Sequence, residues 1–201
     1  MFYTFDQVYD YIKSNRLDYW DRKEELEWLH DITKRWCYSH PNAHINILEI
    51  GTYCGVIALC MATGMDGTNI YNLTTVDKCL FEKPEDIIAK IEKFNKDLDL
   101  FVEFVEKDDI AYVKSLGNKS IDLLYIDTLH TLEHMTVLLD KCLPKIKHGG
   151  LLFGHDYSPE FSGVVEAVSN FRNDNKDRII GSGQDYSIWW SLIKDLSITP
   201  A

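Results

Sequence analysis

Four polar residues at or shortly after the ends of two apolar runs have side chains suited to acid–base or metal chemistry. Asp127 follows the run IDLLYI, His130 comes three residues later, and His155 and Asp156 follow the run LLFG. Two carboxylates and an imidazole on neighbouring strand ends could hold one divalent cation. A neutral His130 there could take a proton from a substrate hydroxyl. Alternatively, Asp127 could only cap a helix, while His155 and Asp156 order a loop.

A second group of such residues surrounds a glycine turn nearer the N-terminus. The stretch INILEIGTYCGVIALCM, residues 45–61, predicts a buried strand, a turn containing Gly51 and Gly55, and an apolar helix. Backbone N–H groups at a helix start beside glycines can cradle a nucleotide-sized ligand. Glu49 precedes this turn. Asp77 ends the next predicted strand, 26 residues after Gly51, where an acid can bind ribose hydroxyls.

The elements that would position these residues alternate between strand and helix. Strands are predicted over residues 45–50, 70–76, 100–105, 121–126, 151–153, 179–180 and 188–192, and helices over 56–62, 84–96, 109–116, 132–146 and 161–171. This alternation predicts an α/β fold with a parallel sheet covered by helices on both faces, whose ligands bind at the carboxyl ends of the strands. We expect residues 1–42 to form a helical extension packed on the same domain, and residues 43–201 to form the catalytic domain.

Composition narrows the class of protein and of ligand. The chain has 201 residues, of which 45% are hydrophobic and 26% charged, as in an ordinary globular domain. Its net charge of −11 argues against nucleic-acid binding. Five scattered cysteines without a Cys-x-x-Cys pair favour neither a zinc ribbon nor a disulfide framework. No apolar run could cross a membrane, and the N-terminus lacks signal-peptide features, so we expect a cytoplasmic protein.

Several stretches together resemble one family. LEIGTYCGVIALCMA is similar to motif I of class I S-adenosylmethionine (SAM)-dependent methyltransferases, in particular the catechol O-methyltransferase-like branch. IDLLYIDTLHTLEH, LPKIKHGGLLFGHDY and GVVEAVSNF resemble small relatives of the metal-dependent sugar and macrolide O-methyltransferases. The resemblance covers roughly residues 46–190. It implies a Rossmann-like, seven-stranded, mostly parallel sheet with an antiparallel last strand, and methyl transfer from SAM to a hydroxyl of a small molecule.

The resemblance also implies a role for each candidate residue. The cofactor would be bound by Glu49, Gly51, Tyr53 and Gly55 around its methionine part, by Asp77 at the ribose and by Asp108 near the adenine. A divalent metal, magnesium or manganese, would be bound by Asp127 and Asp156, and His130 would be the catalytic base. Outside the resemblance, His155 is a candidate third ligand because it directly precedes Asp156. His134, one helical turn beyond His130, would lie behind the site or at the surface.

Two departures from the family pattern leave alternatives open. His155 stands where relatives usually have a carboxylate, which favours a softer metal than magnesium, or none. Val56 and Ile57 replace a serine that often contacts the cofactor. One alternative is therefore a methyltransferase-like binding module without activity. The other, an NAD-dependent oxidoreductase, is disfavoured because Tyr53 would crowd a diphosphate. We also expect a homo-oligomer formed through the N-terminal helices.

Overall fold

The computed structural model describes residues 3–41, 43–65 and 70–196. These residues form seven α-helices and seven strands. The helices are α1 (Phe5–Ser14), α2 (Lys23–Ser39), α3 (Val56–Gly64), α4 (Pro84–Leu98), α5 (Asp109–Ser115), α6 (Leu132–Cys142) and α7 (Ser162–Asp174). The strands are β1 (His44–Ile50), β2 (Ile70–Asp77), β3 (Val102–Glu106), β4 (Ile121–Ile126), β5 (Ile146–Gly154), β6 (Ile179–Asp185) and β7 (Ile188–Ile193).

All seven strands belong to one sheet, in the order β3-β2-β1-β4-β5-β7-β6. β1 pairs in parallel with β2, β2 with β3, and β4 with β5, whereas β7 runs antiparallel to both β5 and β6. The prediction of a seven-stranded, mostly parallel sheet with an antiparallel last strand is confirmed. The chain divides into two compact units, Met1–Glu106 and Lys107–Ala201, which are described separately below.

The first unit is built around α3. All nine residues of this helix, VIALCMATG, are buried, as expected for a helix that is apolar on every side. The N-terminal helices α1 and α2 both pack against it. Gly64 allows the close approach of α2, because a Cβ at this position would lie 2.1 Å from the carbonyl oxygen of His30. The parallel register of β1 and β2 brings Gly51 and Asp77 to the same edge of the sheet.

The second unit contains β4 to β7 and the helices α5 to α7. Strand β4 has four consecutive buried residues, 123–126, and ends directly before Asp127. Strand β5 runs parallel to it and ends directly before His155, so the polar residues that follow both strands lie at one edge of the sheet. Thr131 caps the N-terminus of α6, since its hydroxyl accepts a hydrogen bond from the His134 amide.

Three elements in this unit, α6, β5 and β6, have boundaries that differ from the sequence prediction. Helix α6 was expected to reach residue 146 but ends at Cys142; Pro144 lies in a 3-10 turn, Leu143–Lys145, because it cannot continue an α-helix. β5 accordingly begins at Ile146 and contains both Gly149 and Gly150. β6 is much longer than residues 179–180, because pairing with β7 supplies its hydrogen bonds. At Gly183, a Cβ would lie 2.6 Å from the Trp190 ring, which explains the absence of an apolar pattern there.

Within the described part of the chain, no helix has both the length and the apolar character that crossing a membrane requires.

Candidate active site

The glycine turn after β1 contains three residues with left-handed backbone conformations. The φ angles are 96° at Gly51, 44° at Tyr53 and 77° at Gly55. Glycine adopts such angles readily, whereas Tyr53 needs support from its surroundings. The Tyr53 hydroxyl donates a hydrogen bond to Asp18 Oδ2 at 2.6 Å, and the Trp20 ring lies 5.2 Å from the Tyr53 ring. The bond to Asp18 raises the pKa of Tyr53 well above its usual range.

Asp77 closes this turn from the end of β2. Its Oδ2 accepts hydrogen bonds from the backbone N–H groups of Thr52 at 2.9 Å and Tyr53 at 3.1 Å, and its Oδ1 accepts one from Cys79 N–H at 2.6 Å. A carboxylate offers about four acceptor positions. These three bonds therefore leave room at Oδ1 for one further donor, such as a ribose hydroxyl.

Two other residues assigned to the cofactor have structural contacts. Glu49 is fully buried, and its Oε2 accepts a short hydrogen bond from the Thr75 hydroxyl. Asp108 lies at the surface and caps α5 by accepting a hydrogen bond from the Ala111 amide at 3.0 Å. Their assignment to the cofactor stays a prediction.

In the second unit, Asp127, His130 and Asp156 form one cluster. His130 Nε2 lies 2.8 Å from Asp156 Oδ2 and 3.5 Å from Asp127 Oδ1. One donor atom from each residue lies within 4.8 Å of the other two, a spacing at which three side chains can hold a metal ion. His130 Nε2 is buried and, despite these short distances, has no well-aligned hydrogen bond within the described residues. In the neutral ring, a lone pair on this nitrogen would suit a cation or an acidic proton at the centre of the cluster.

The charges of this cluster shift the pKa values of its members. The Asp127 and Asp156 carboxylates raise the pKa of His130 to about 9, against the opposing effect of its partial burial. Burial alone would raise the pKa of Asp156, but the His130 and His155 rings hold it well below its usual range. The sequence predicts a His130 that is neutral at cytosolic pH, whereas the two carboxylates favour its protonated form when no cation is bound.

His155 lies beside this cluster with both ring nitrogens already engaged. Nδ1 lies 3.2 Å from Asp156 Oδ1, and Nε2 lies 2.9 Å from the Ser187 hydroxyl in the turn between β6 and β7. Binding a metal would require His155 to give up one of these contacts. His130, which was assigned as the base, is the imidazole that the structure places with both carboxylates.

Residues 48–157 match the family model described as a methyltransferase domain, which covers more than half of the chain. The chain belongs to this methyltransferase family. A search of curated proteins finds no match by sequence.

Solved structures of O-methyltransferases have the same fold as this methyltransferase. The Bacillus cereus O-methyltransferase in complex with SAH has a TM-score of 0.64 and 16% identity, over 94% of this chain and 90% of that one. TomG from Streptomyces achromogenes, in complex with SAM, has a TM-score of 0.59 and 15% identity, over 95% of this chain and 89% of that one. CalS11, a TDP-rhamnose 3′-O-methyltransferase, has a TM-score of 0.65 and 17% identity, over 87% of this chain and 82% of that one. The predicted class I methyltransferase fold is confirmed.

The loop of the methyltransferase that carries Asp127 and His130 is packed against α7. The Phe161 ring lies 4.6 Å from the His130 ring. At Gly163, a Cβ would lie 2.5 Å from the carbonyl oxygen of His130 and 2.7 Å from the Leu132 amide nitrogen. Only glycine lets the helix approach the backbone of the loop this closely.

We expect Gly163→Ala to destabilise the methyltransferase by about 1–3 kcal/mol, because the added methyl group overpacks a backbone contact. Thermal unfolding followed by circular dichroism measures this change. Gly117→Ala is the matched control, since a Cβ there has no atom within 4 Å and the change should stay within about 0.5 kcal/mol. Equal melting temperatures for the two variants would contradict the packing described here.

Three polar residues that support the two sites were given no role from the sequence pattern. Thr75 and Thr52 lie behind the glycine turn, with their hydroxyl oxygens 2.5 Å apart. Asp109, next to the capping residue Asp108, is buried. The available signal was position: Thr75 lies on β2 opposite Glu49, and Asp109 directly follows a helix cap.

Proposed function

We propose that this methyltransferase transfers a methyl group from SAM to a hydroxyl of a small molecule, with the help of a divalent cation. The observation that carries the proposal is the cluster of Asp127, His130 and Asp156 at the carboxyl ends of adjacent parallel strands in a chain of this family. A cluster of two carboxylates and an imidazole suits binding and deprotonating a hydroxyl group. The CalS11 relative, whose name specifies a sugar 3′-O-methyl transfer, supports oxygen as the acceptor atom.

The glycine turn and Asp77 would bind the cofactor. Asp77 Oδ1 retains acceptor capacity for a ribose hydroxyl, and its other bonds hold the backbone of Thr52 and Tyr53 in place before the ligand arrives. Glu49, Gly51, Gly55 and Asp108 are proposed to contribute as the family resemblance implies. When bound, SAM would supply a methyl group on a positively charged sulfur, so the protein has to align the acceptor and exclude water. The SAH and SAM complexes of the relatives support this choice of cofactor.

The second unit would bind and deprotonate the acceptor. With a cation in the cluster, the raised pKa of His130 would fall, and the neutral ring would then take the hydroxyl proton on Nε2. The Asp127 and Asp156 carboxylates would stabilise the imidazolium that results. His155, bonded to Ser187, would hold Asp156 in its orientation. Asp156 itself has a φ of 58°, and the bond from Ser158 N–H to its carbonyl oxygen supports this strained conformation.

The donor set also fits a divalent cation. Asp127 and Asp156 would be its carboxylate ligands, and His155 would be the nitrogen ligand where His130 Nε2 acts as the base. If His130 Nε2 binds the cation instead, it cannot also take the hydroxyl proton. Manganese suits this mixture of ligands better than magnesium. A cation held there would supply positive charge that favours loss of the hydroxyl proton.

We expect SAH to bind this protein more tightly than NAD, because Tyr53 leaves little room for a diphosphate. Asp77→Ala should weaken SAH binding by about 1–3 kcal/mol, roughly 5- to 150-fold, since the ribose hydroxyls and three backbone N–H groups lose their acceptor. Isothermal titration calorimetry measures both effects. Asp97→Ala removes a surface carboxylate of the same unit, bound to Lys93 and Tyr11, and should leave SAH affinity unchanged. Tighter binding of NAD than of SAH would refute the proposed cofactor.

The decisive test of the reaction is a screen with methyl-labelled SAM, manganese and small hydroxyl compounds, including sugars and catechols. Transfer of label to one of them would support the proposed function. Binding of SAH without transfer to any acceptor would favour the alternative of an inactive binding module.

A further inference from the structure

Asp109 is a buried carboxylate to which the proposed reaction assigns no role. It is the first residue of α5 and is only 5% exposed to solvent. Carboxylates are seldom buried to this extent unless their oxygens are paired. The contacts of Asp109 therefore indicate what its charge does.

Both oxygens of Asp109 are engaged. Oδ1 accepts a hydrogen bond from the Ile110 amide at 2.7 Å. Oδ2 accepts one from the Thr128 hydroxyl at 3.1 Å and contacts His134 Nε2 at 2.7 Å, so this nitrogen carries the hydrogen. Although burial opposes ionisation, the bond to His134 helps to hold the pKa of Asp109 below its usual value.

The two side-chain partners of Asp109 stand at either end of the loop that carries the proposed acceptor site. Thr128 directly follows Asp127, and His134 lies four residues after His130, in the first turn of α6. One carboxylate oxygen therefore holds both ends of residues 128–134. On another part of the loop, Gly163 of α7 contacts the His130 backbone.

We propose that Asp109 is a positioning residue, which through Thr128 and His134 fixes the loop that aims Asp127 and His130 at the acceptor. It acts through its partners and does not itself touch the substrate. His134, expected behind the site or at the surface, is the link between Asp109 and α6, with a side chain that is 13% exposed. The inference rests on the proposed function, because it assigns Asp109 to the same acceptor site.

The geometry favours positioning over a contribution to stability alone. A buried carboxylate that served only stability could be satisfied by any nearby donors, such as the N–H groups at the start of α5. Here Asp108 caps α5 through the Ala111 amide. Asp109 gives only Oδ1 to a helix amide, that of Ile110, and its Oδ2 is turned toward Thr128 and His134. Reactions are sensitive to small displacements of their catalytic groups, so support of this kind affects turnover.

The test compares Thr128→Val, which removes the hydroxyl at nearly constant shape, with Thr128→Ser, which keeps it. Thr128→Val and Asp109→Asn are expected to lower kcat by about 10- to 100-fold, as for other residues that orient functional groups. The acceptor KM and SAH affinity should change by less than about twofold, and Thr128→Ser should restore kcat. Full kcat in Thr128→Val would overturn the proposal.

A variant destabilised elsewhere in α5 distinguishes positioning from stability. Val113→Ala removes buried methyl groups from the same helix without touching the bonds of Asp109. We expect it to lower the melting temperature but to leave kcat of the folded enzyme unchanged. If Val113→Ala lowers kcat as much as Thr128→Val, the role of Asp109 is structural and the proposal fails.

A readout that does not depend on methyl transfer separates this inference from the proposed function. The His130 and Phe161 rings are close enough for a nuclear Overhauser effect between their protons, with centroids 4.6 Å apart. This signal should weaken in Thr128→Val and Asp109→Asn and persist in Val113→Ala. If the wild-type protein transfers no methyl group, the proposed function fails, and the Overhauser signal alone tests whether Asp109 positions the loop. Persistence of this signal in Thr128→Val would overturn the positioning role.

Discussion

Replacing His130 with alanine is expected to lower turnover by about 100- to 10,000-fold while SAH affinity stays nearly constant. The reason is that the proposed role of His130, beside Asp127 and Asp156, is at the acceptor hydroxyl and not at the cofactor. Steady-state kinetics with an acceptor found in the screen, together with calorimetry for SAH, measures the two quantities separately.

His148→Ala is the control for this experiment, because His148 is exposed and accepts a hydrogen bond from the Asp195 amide away from the cluster. Manganese binding distinguishes two roles for His130. A base can be removed while the cation still binds, whereas loss of a ligand weakens cation binding as well. Near-normal turnover in His130→Ala, combined with its abolition in His155→Ala, would reverse the roles assigned to these two histidines.

Cation binding to the cluster is expected to release about one proton per ion at pH 7.5. The Asp127 and Asp156 carboxylates raise the pKa of His130 to about 9, so without a cation the ring is protonated at this pH. A cation between the same side chains repels that proton. Below about pH 9, apparent affinity should therefore rise with pH by up to about tenfold per unit. Manganese titrations in buffers with different ionisation enthalpies measure the released proton.

Asp156→Asn tests the ligand set in the same experiment. Removing this carboxylate should weaken manganese binding by more than the roughly 10- to 100-fold that loss of a supporting residue costs. Asp140→Asn, which changes an exposed carboxylate of α6, is the control and should bind manganese normally. Identical heats in all buffers would contradict displacement of the His130 proton by the cation. Unchanged manganese affinity in Asp156→Asn would contradict a cation site in this cluster.

The sequence was sufficient to predict the sheet and the residues at its carboxyl edge. Runs such as IDLLYI are buried on both sides of a parallel sheet, so their length and position identify strands directly. Once β4 and β5 are assigned, Asp127 and Asp156 must lie at the same edge. The boundaries that the sequence predicted wrongly are those of α6 and β6. A proline ends the first of these elements, and the second is an edge strand that contains glycines in place of apolar residues.

Side-chain direction at the ends of elements could not be predicted in the same way. His155 and Asp156 are adjacent, but the left-handed conformation of Asp156 turns its carboxylate toward His130 while His155 reaches Ser187. Asp108 and Asp109 are also adjacent, and a shift of one residue in the start of α5 decides which of them caps the helix. Such choices depend on tertiary contacts that a pattern of residue types does not contain.

The contacts of Tyr53 have a consequence for shortened forms of this protein. Asp18 and Trp20 lie in the segment between α1 and α2, and they support a tyrosine whose backbone is strained in the glycine turn. A chain that begins at residue 43 would retain every strand of the sheet but lose both supports. Truncation of the N-terminal helices would therefore impair ligand binding at the turn, even where the remaining chain folds.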